Sequence, residues 1–261
     1  MRRNLTELAG NPDLISGIYN YCDRWCERCP FTSRCLVYAT EKEDEDESPE
    51  SRDINNEAFW QKLGSIFQEA REMITSWAEE AGVDLTEIDE EGEAKRKKRH
   101  TDAARHPLAL AGKDYASAVT EWFTELSRTI TSSDLAADET DLALSEQFHD
   151  ASDVIQWYQY QIAVKTMRSL SSRSSEEDPT EWEPDETYPK DSDGSAKVAL
   201  VGIDRSINAW RSIQLCLPER AGRIIPLILR LEQLRQRTER EFPDARDFIR
   251  PGFDEVLGEA N

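Results

Sequence analysis

The sequence predicts an all-α protein, a helical bundle of four to five long helices preceded by a short N-terminal helix that carries cysteines. Two observations lead there. Apolar residues recur at alternating steps of three and four over long stretches, and no stretch shows the apolar–polar alternation of a half-buried strand. There is no internal repeat either, which points to one bundle and not to a solenoid. The predicted organisation is a cysteine-cluster module over residues 1–40, an acidic linker over 41–54, and the bundle over 55–261, with charged loops at 83–104 and 171–194.

The first predicted element is a helix over residues 13–29. Asp13 follows Pro12 as a cap, and Ile15, Ile18, Cys22, Trp25 or Cys26, and Cys29 fall at helical spacing until Pro30 stops the run. The acidic stretch from Glu41 to Asp53 reads as a flexible linker. A clear helix follows. Asn55 or Asn56 caps it, Phe59, Leu63, Ile66, Ala70, Met73 and Trp77 form a packing seam, and Gly82 ends it.

Pro107 suits the first turn of the next helix, which runs to about residue 131 with Leu108, Ala111, Tyr115, Ala118, Trp122 and Leu126 inward. Asp141 opens another, carrying Leu144, Phe148, Ala151, Ile155, Tyr158 and Ile162 on one face. A helix over 196–216 presents Leu200, Ile203, Ile207 and Trp210. The last begins at Pro218 and presents Ile224, Leu227, Ile228, Leu231 and Leu234. Phe242, Phe248 and Phe253 of the tail are expected to pack back onto the bundle. The tryptophans Trp60, Trp77, Trp122, Trp157 and Trp210 all fall on stripes, and read as core.

Composition narrows the function. Among 261 residues, 38% are hydrophobic and 33% charged, the mean hydropathy is −0.71, and seven Trp and eight Phe supply core material. The net charge of −21 repels a phosphate backbone, so nucleic acid is not the expected ligand and a basic partner protein is. The basic run Lys95-Arg96-Lys97-Lys98-Arg99-His100 reads as a solvated segment near acidic stretches. No apolar run approaches the roughly 20 residues of a membrane span, and the first seven residues lack a signal-peptide core. The expected location is the cytoplasm, where clustered thiols read as metal ligands before disulfides.

The chemically distinctive feature is the run Cys22, Cys26, Cys29 and Cys35, spaced C-x3-C-x2-C-x5-C within 14 residues. On a helix, positions i, i+4 and i+7 share a face, so three thiols point one way and Cys35 returns after the turn at Pro30. One or two such cysteines pack as small hydrophobes; four close together need a cation to neutralise their thiolates. Arg24, Arg28 and Arg34 stand between them and offset the negative charge of a tetrathiolate. The compact spacing suits an iron–sulfur cluster, and zinc is the alternative ligand because zinc knuckles are equally compact. The expected function is therefore metal binding without catalysis, in electron transfer or in redox or iron sensing, with a structural zinc site in an adaptor as the alternative.

The spacing from Cys22 to Cys29 resembles the C-x3-C-x2-C of radical S-adenosylmethionine enzymes. That resemblance covers three residues and implies a β/α barrel, for which the sequence offers no strands; Cys35 would also occupy the iron that the cosubstrate needs. Cys216, alone at a helix end, reads as core. Glu146 and His149 form a single E-x-x-H, the element that di-iron bundles use twice; with Glu69, Glu72 or Asp153 they offer an alternative single-metal site for a ferritin-like oxidase. Neither a P-loop, a G-x-G-x-x-G after a strand, nor a G-x-S-x-G occurs.

Overall fold

Among the described residues, five long helices are present where the periodicity places them. In the computed structural model, which describes residues 10–45, 48–85, 90–129, 139–177 and 190–254, the helices are α1 (Leu36–Glu45), α2 (Glu57–Ala81), α3 (Glu90–Arg105), α4 (Pro107–Thr129), α5 (Glu139–Glu176), α6 (Asp191–Cys216) and α7 (Ala221–Glu241). Among the described residues there is no strand, so the protein is all-α and a β/α barrel is absent. No described helix is long and apolar enough to cross a membrane.

The chain divides into two compact units. The first takes in the described residues of Met1–Tyr19 and Cys26–Arg96, the second those of Asn20–Trp25 and Lys97–Asn261. In the second unit α4, α5, α6 and α7 form a four-helix bundle, each packed on its neighbour in the chain and α7 closing back onto α4. Its centre is α6, where Leu200, Ile203, Ile207, Trp210 and Ile213 are all buried. The Trp210 ring meets Trp122 edge-on at 4.9 Å, and its Nε1–H donates to Tyr115 Oη at 3.0 Å, so the one polar atom of a buried indole is satisfied. Helices α5 and α6 approach closely because residue 202 is glycine; a Cβ there would lie 2.8 Å from the Tyr158 ring. Phe242 and Phe248 of the tail are buried, and Phe253 is half-buried against Arg250.

Local signals explain several boundaries. Asn56 caps α2, its Oδ1 accepting the Ala58 N–H at 3.0 Å, and Gly82 ends the helix in the left-handed region at φ 68°. Pro107 opens α4 as expected, and His106 caps it through Nδ1, which accepts the Leu108 N–H at 3.2 Å.

Five expectations need correction. Residues 13–29 do not form a helix. They make tight 3-10 turns at Ile18–Asn20 and Cys26–Arg28, with a further one at Thr32–Arg34, and Arg24 adopts φ 57° between them. The expected acidic linker is partly structured: α1 runs into it as far as Glu45, and Pro49–Arg52 forms a 3-10 turn packed on α2. The expected loop at 83–104 contains α3. It lacks an apolar stripe, but Glu90, Glu91 and Glu93 in the first turn and Arg105 in the last suit the helix dipole, and Glu91 pairs with Lys95 at 3.4 Å.

The expected loop at 171–194 is helical at both ends. Side chains hold it so: Arg173 bonds Glu241 at 2.7 Å, and Glu176 accepts from the Ser192 N–H at 2.9 Å where α6 begins. The middle of that stretch lies outside the described residues. The core reading also fails for two tryptophans of α2, since Trp60 and Trp77 are exposed, whereas Trp122 and Trp210 are buried and Trp157 packs against the core.

Candidate metal centre

The cysteine segment is held by its neighbours in sequence. Residues Asn20–Trp25 belong to the second unit and are fixed to α5 and α6 by Tyr21, Asp23 and Trp25. Asp23 is the centre of this attachment. Its Oδ2 accepts from Tyr158 Oη at 2.5 Å and from Arg205 Nη1 at 2.6 Å, and its backbone carbonyl accepts from Trp157 Nε1 at 2.9 Å and Gln161 Nε2 at 2.5 Å. Oδ1 turns inward to accept the Trp25 N–H at 3.2 Å, which tightens the turn. The Trp25 ring stacks on Trp157 with centroids 5.0 Å apart.

Tyr21 provides the second anchor. Its hydroxyl donates to Asp191 Oδ1 at 3.1 Å, and its ring meets Phe248 edge-on at 4.7 Å. Burial, with the Asp191 charge behind it, pushes the Tyr21 phenol up to about 12. Burial opposes ionisation of Asp191 as well, but hydrogen bonds from Arg168 (2.8 Å) and Ser172 (2.7 Å) outweigh it and hold the carboxyl below its usual range. Burial also pushes the Tyr158 phenol up, and the carboxylate of Asp23 adds to the shift.

Cys22 lies between these anchors. Burial pushes its thiol up, and the backbone N–H of Arg24, two residues on, bonds the sulfur and works the other way. Cys29 repeats this arrangement: its Sγ accepts the Phe31 N–H, also two residues on, at 3.4 Å. A backbone N–H aimed at a sulfur is the contact that cysteine ligands of a metal receive, although at Cys22 burial outweighs it and favours the thiol. Cys26 opens one 3-10 turn, and Cys35 follows another, with its N–H bonded to Thr32 O at 3.3 Å and its carbonyl starting α1.

All five cysteines are thiols, each half-buried. Cys22 falls in the second unit, and Cys26, Cys29 and Cys35 fall in the first. Because the 13–29 helix is absent, Cys22, Cys26 and Cys29 do not share a helical face. Among the described residues no three His, Cys, Asp or Glu side chains are gathered closely enough to hold a metal ion. Arg24, Arg28 and Arg34 are exposed, and Arg34 Nε donates to Asp13 O at 3.1 Å within the first unit.

The alternative site is not assembled. Glu146 and His149 are exposed on α5 while Phe148 between them turns inward, whereas a di-iron arrangement needs the carboxylate and imidazole inside the bundle. Of the carboxylates considered with them, Glu69, Glu72 and Asp153 are exposed too. Cys216 ends α6 as expected, half-buried, with its Sγ donating to Leu144 O at 3.6 Å. Sequence reasoning missed Tyr21 and Asp23 and saw Trp25 only as a stripe position; their alternation around Cys22 is the local signal that they act together.

No protein-family model, no curated protein and no solved structure matches the chain.

Proposed function

We propose that this is a non-catalytic metal-binding helical protein whose centre is held by Cys22, Cys26, Cys29 and Cys35, an iron–sulfur cluster serving electron transfer or redox or iron sensing. The observation that carries the reading is the pairing of the C-x3-C-x2-C-x5-C spacing with a backbone N–H aimed at the sulfur of Cys22 and again at that of Cys29. Thiols do not gather by themselves, since each must lose a proton and the resulting charges repel. Convergence of the four is expected when metal binds, with binding energy drawn into local folding. Arg24, Arg28 and Arg34 stand beside the ligands in sequence and would offset the charge of the loaded site.

Zinc is the second reading, favoured by the 3-10 turns around Cys26 and before Cys35, which are tight enough to wrap one small ion. In that case the site acts as a staple in an adaptor protein. The expected location is the cytoplasm, where thiols stay reduced. With a net charge of −21, the expected partner is a basic protein.

The deciding experiment is metal analysis with a visible spectrum on protein purified without oxygen. A brown preparation absorbing near about 400 nm supports the cluster, and a colourless protein with stoichiometric zinc supports the staple. If neither metal copurifies nor binds on reconstitution, and the quadruple Cys→Ser variant melts like the parent, metal binding is refuted.

A further inference from the structure

Among the described residues Arg24 is the one non-glycine with a positive φ, at 57°. The other positive values fall on Gly17, Gly82 and Gly252, where no Cβ opposes them. An arginine in the left-handed region is crowded by its own Cβ, and such strain persists only where the surroundings over-determine it. At Arg24 they do. Asp23 before it is held by Tyr158, Arg205, Trp157 and Gln161. Trp25 after it stacks on Trp157, and its N–H reaches back across the corner to Asp23 Oδ1 at 3.2 Å.

The same corner governs what reaches the sulfur of Cys22. The N–H of Arg24 bonds that sulfur, and it acts on the thiol more strongly than the Arg24 guanidinium does. Cys29 receives the same bond from Phe31, and there the residue between sulfur and donor is Pro30, whose ring fixes φ. At Cys22 the residue between is Asp23. It has no ring, and its bonds to α5 and α6 immobilise it instead. With Asp23 and Trp25 both seated, the left-handed corner is what joins them. A residue denied that region must unseat Trp25 or rotate the Asp23–Arg24 peptide, and the rotation takes the N–H off the sulfur.

We infer that Arg24 is a positioning residue of the cysteine site and acts through its backbone: its left-handed turn, clamped between Asp23 and Trp25, sets Cys22 and its N–H donor in place before metal binds. A ligand set in advance loses less freedom on binding, so the turn raises affinity. The charge of the loaded site then falls chiefly to Arg28 and Arg34. The inference rests on the reading of the four cysteines as metal ligands.

The test uses the full chain, reduced and metal-free, titrated with cobalt(II) and followed by cobalt–thiolate absorption. Glycine and asparagine tolerate the left-handed region and carry no charge; valine is also neutral but, being β-branched, resists it; lysine keeps the charge. Arg24→Gly and Arg24→Asn are expected to bind within about threefold of the parent. Arg24→Val should bind about tenfold or more weakly, the usual size of losing a group that supports a ligand. Near-ultraviolet circular dichroism of the metal-free chains should show the Trp25–Trp157 stack kept in the first two variants and altered in the third. If the parent takes up an iron–sulfur cluster and not cobalt, the same ranking is read from the visible absorption of the reconstituted cluster.

Two results overturn the inference while metal still binds. If Arg24→Gly, Arg24→Asn and Arg24→Val weaken binding alike and Arg24→Lys does not, Arg24 acts by its charge. If Arg24→Val binds like the parent, the corner does not set the ligand. Should Arg24→Val loosen the whole segment, Arg24→Gly and Arg24→Asn still decide, because a role for the charge requires both to weaken binding. A parent chain that takes up neither cobalt nor a cluster refutes the four-cysteine reading and the inference with it, and is told apart because no variant then differs from the parent.

Discussion

Removing the Asp23 carboxylate tests whether the cysteine segment is truly fastened to the bundle. In Asp23→Ala the hydroxyl of Tyr158, a residue with no exposed surface, loses its carboxylate acceptor. A hydrogen bond to a charged group contributes about 1.5–3 kcal/mol net. The Arg205 pair adds little: Asp23 is 18% exposed but Arg205 is 53% exposed, so solvent screens it to no more than about 1 kcal/mol. The expected cost is therefore about 2–3 kcal/mol, a shift in urea midpoint of about 1 M for a slope typical of small domains.

The assay is a double-mutant cycle read by urea unfolding. It uses Asp23→Ala, Tyr158→Phe and the pair together, with Trp25 and Trp157 emission reporting whether their stack survives. Tyr158→Phe keeps the ring against Gly202 and removes the hydroxyl that donates to Asp23 and accepts from Arg205 Nη1, so the coupling between the two sites should be about 1 kcal/mol or more. If the two changes add to within about 0.5 kcal/mol, the bond does not hold the segment and the reasoning is wrong.

The other predictions follow from the same geometry. Gly194→Ala would place a methyl against the Tyr21 ring and 2.6 Å from Phe248 Cζ; overpacking of this kind costs about 1–3 kcal/mol, which chemical denaturation will register. Asp191 has a folded-state pKa depressed below its usual 3.8, so its contribution is present above that value and is lost as pH falls through the lower folded value; an Asp191→Asn variant should show a shallower loss of stability on acidification than the parent. Tyr21 runs the other way. Its folded pKa is raised from 10.0 to about 12, so its contribution is present below pH 10.0 and fades as pH rises toward the higher value, and Tyr21→Phe should flatten that alkaline loss. Ile203→Ala at the centre of α6 should cost about 2–5 kcal/mol by opening a cavity, measured by thermal melting against an exposed control such as Leu215→Ala.

The long helices were legible in the sequence because their signals are local. Asn56, Gly82 and Pro107 mark boundaries through their own backbone chemistry, and the stripe from Leu200 to Trp210 repeats at the helical period whatever packs against it. Helix α3 was not, since a helix held by charge order and propensity has no apolar stripe to read. The tryptophans of α2 show the converse: Trp77 lies on the seam and Trp60 beside it, both are exposed, and a seam states that a face wants covering without stating that anything covers it.

By itself, then, the sequence determined the all-α class, the register of the bundle core and the clustering of four thiols, since composition and spacing are properties of neighbouring residues. The tertiary structure decided where the cysteine segment goes. Cys22, Cys26 and Cys29 fit a helical spacing, but Asp23 finds partners 135 and 182 residues away, in Tyr158 and Arg205, and Tyr21 finds Asp191 170 residues away. Those bonds fasten residues 20–25 to α5 and α6, and no pattern within fourteen residues could record them, because their partners are carried on helices that meet this stretch only after the chain has folded.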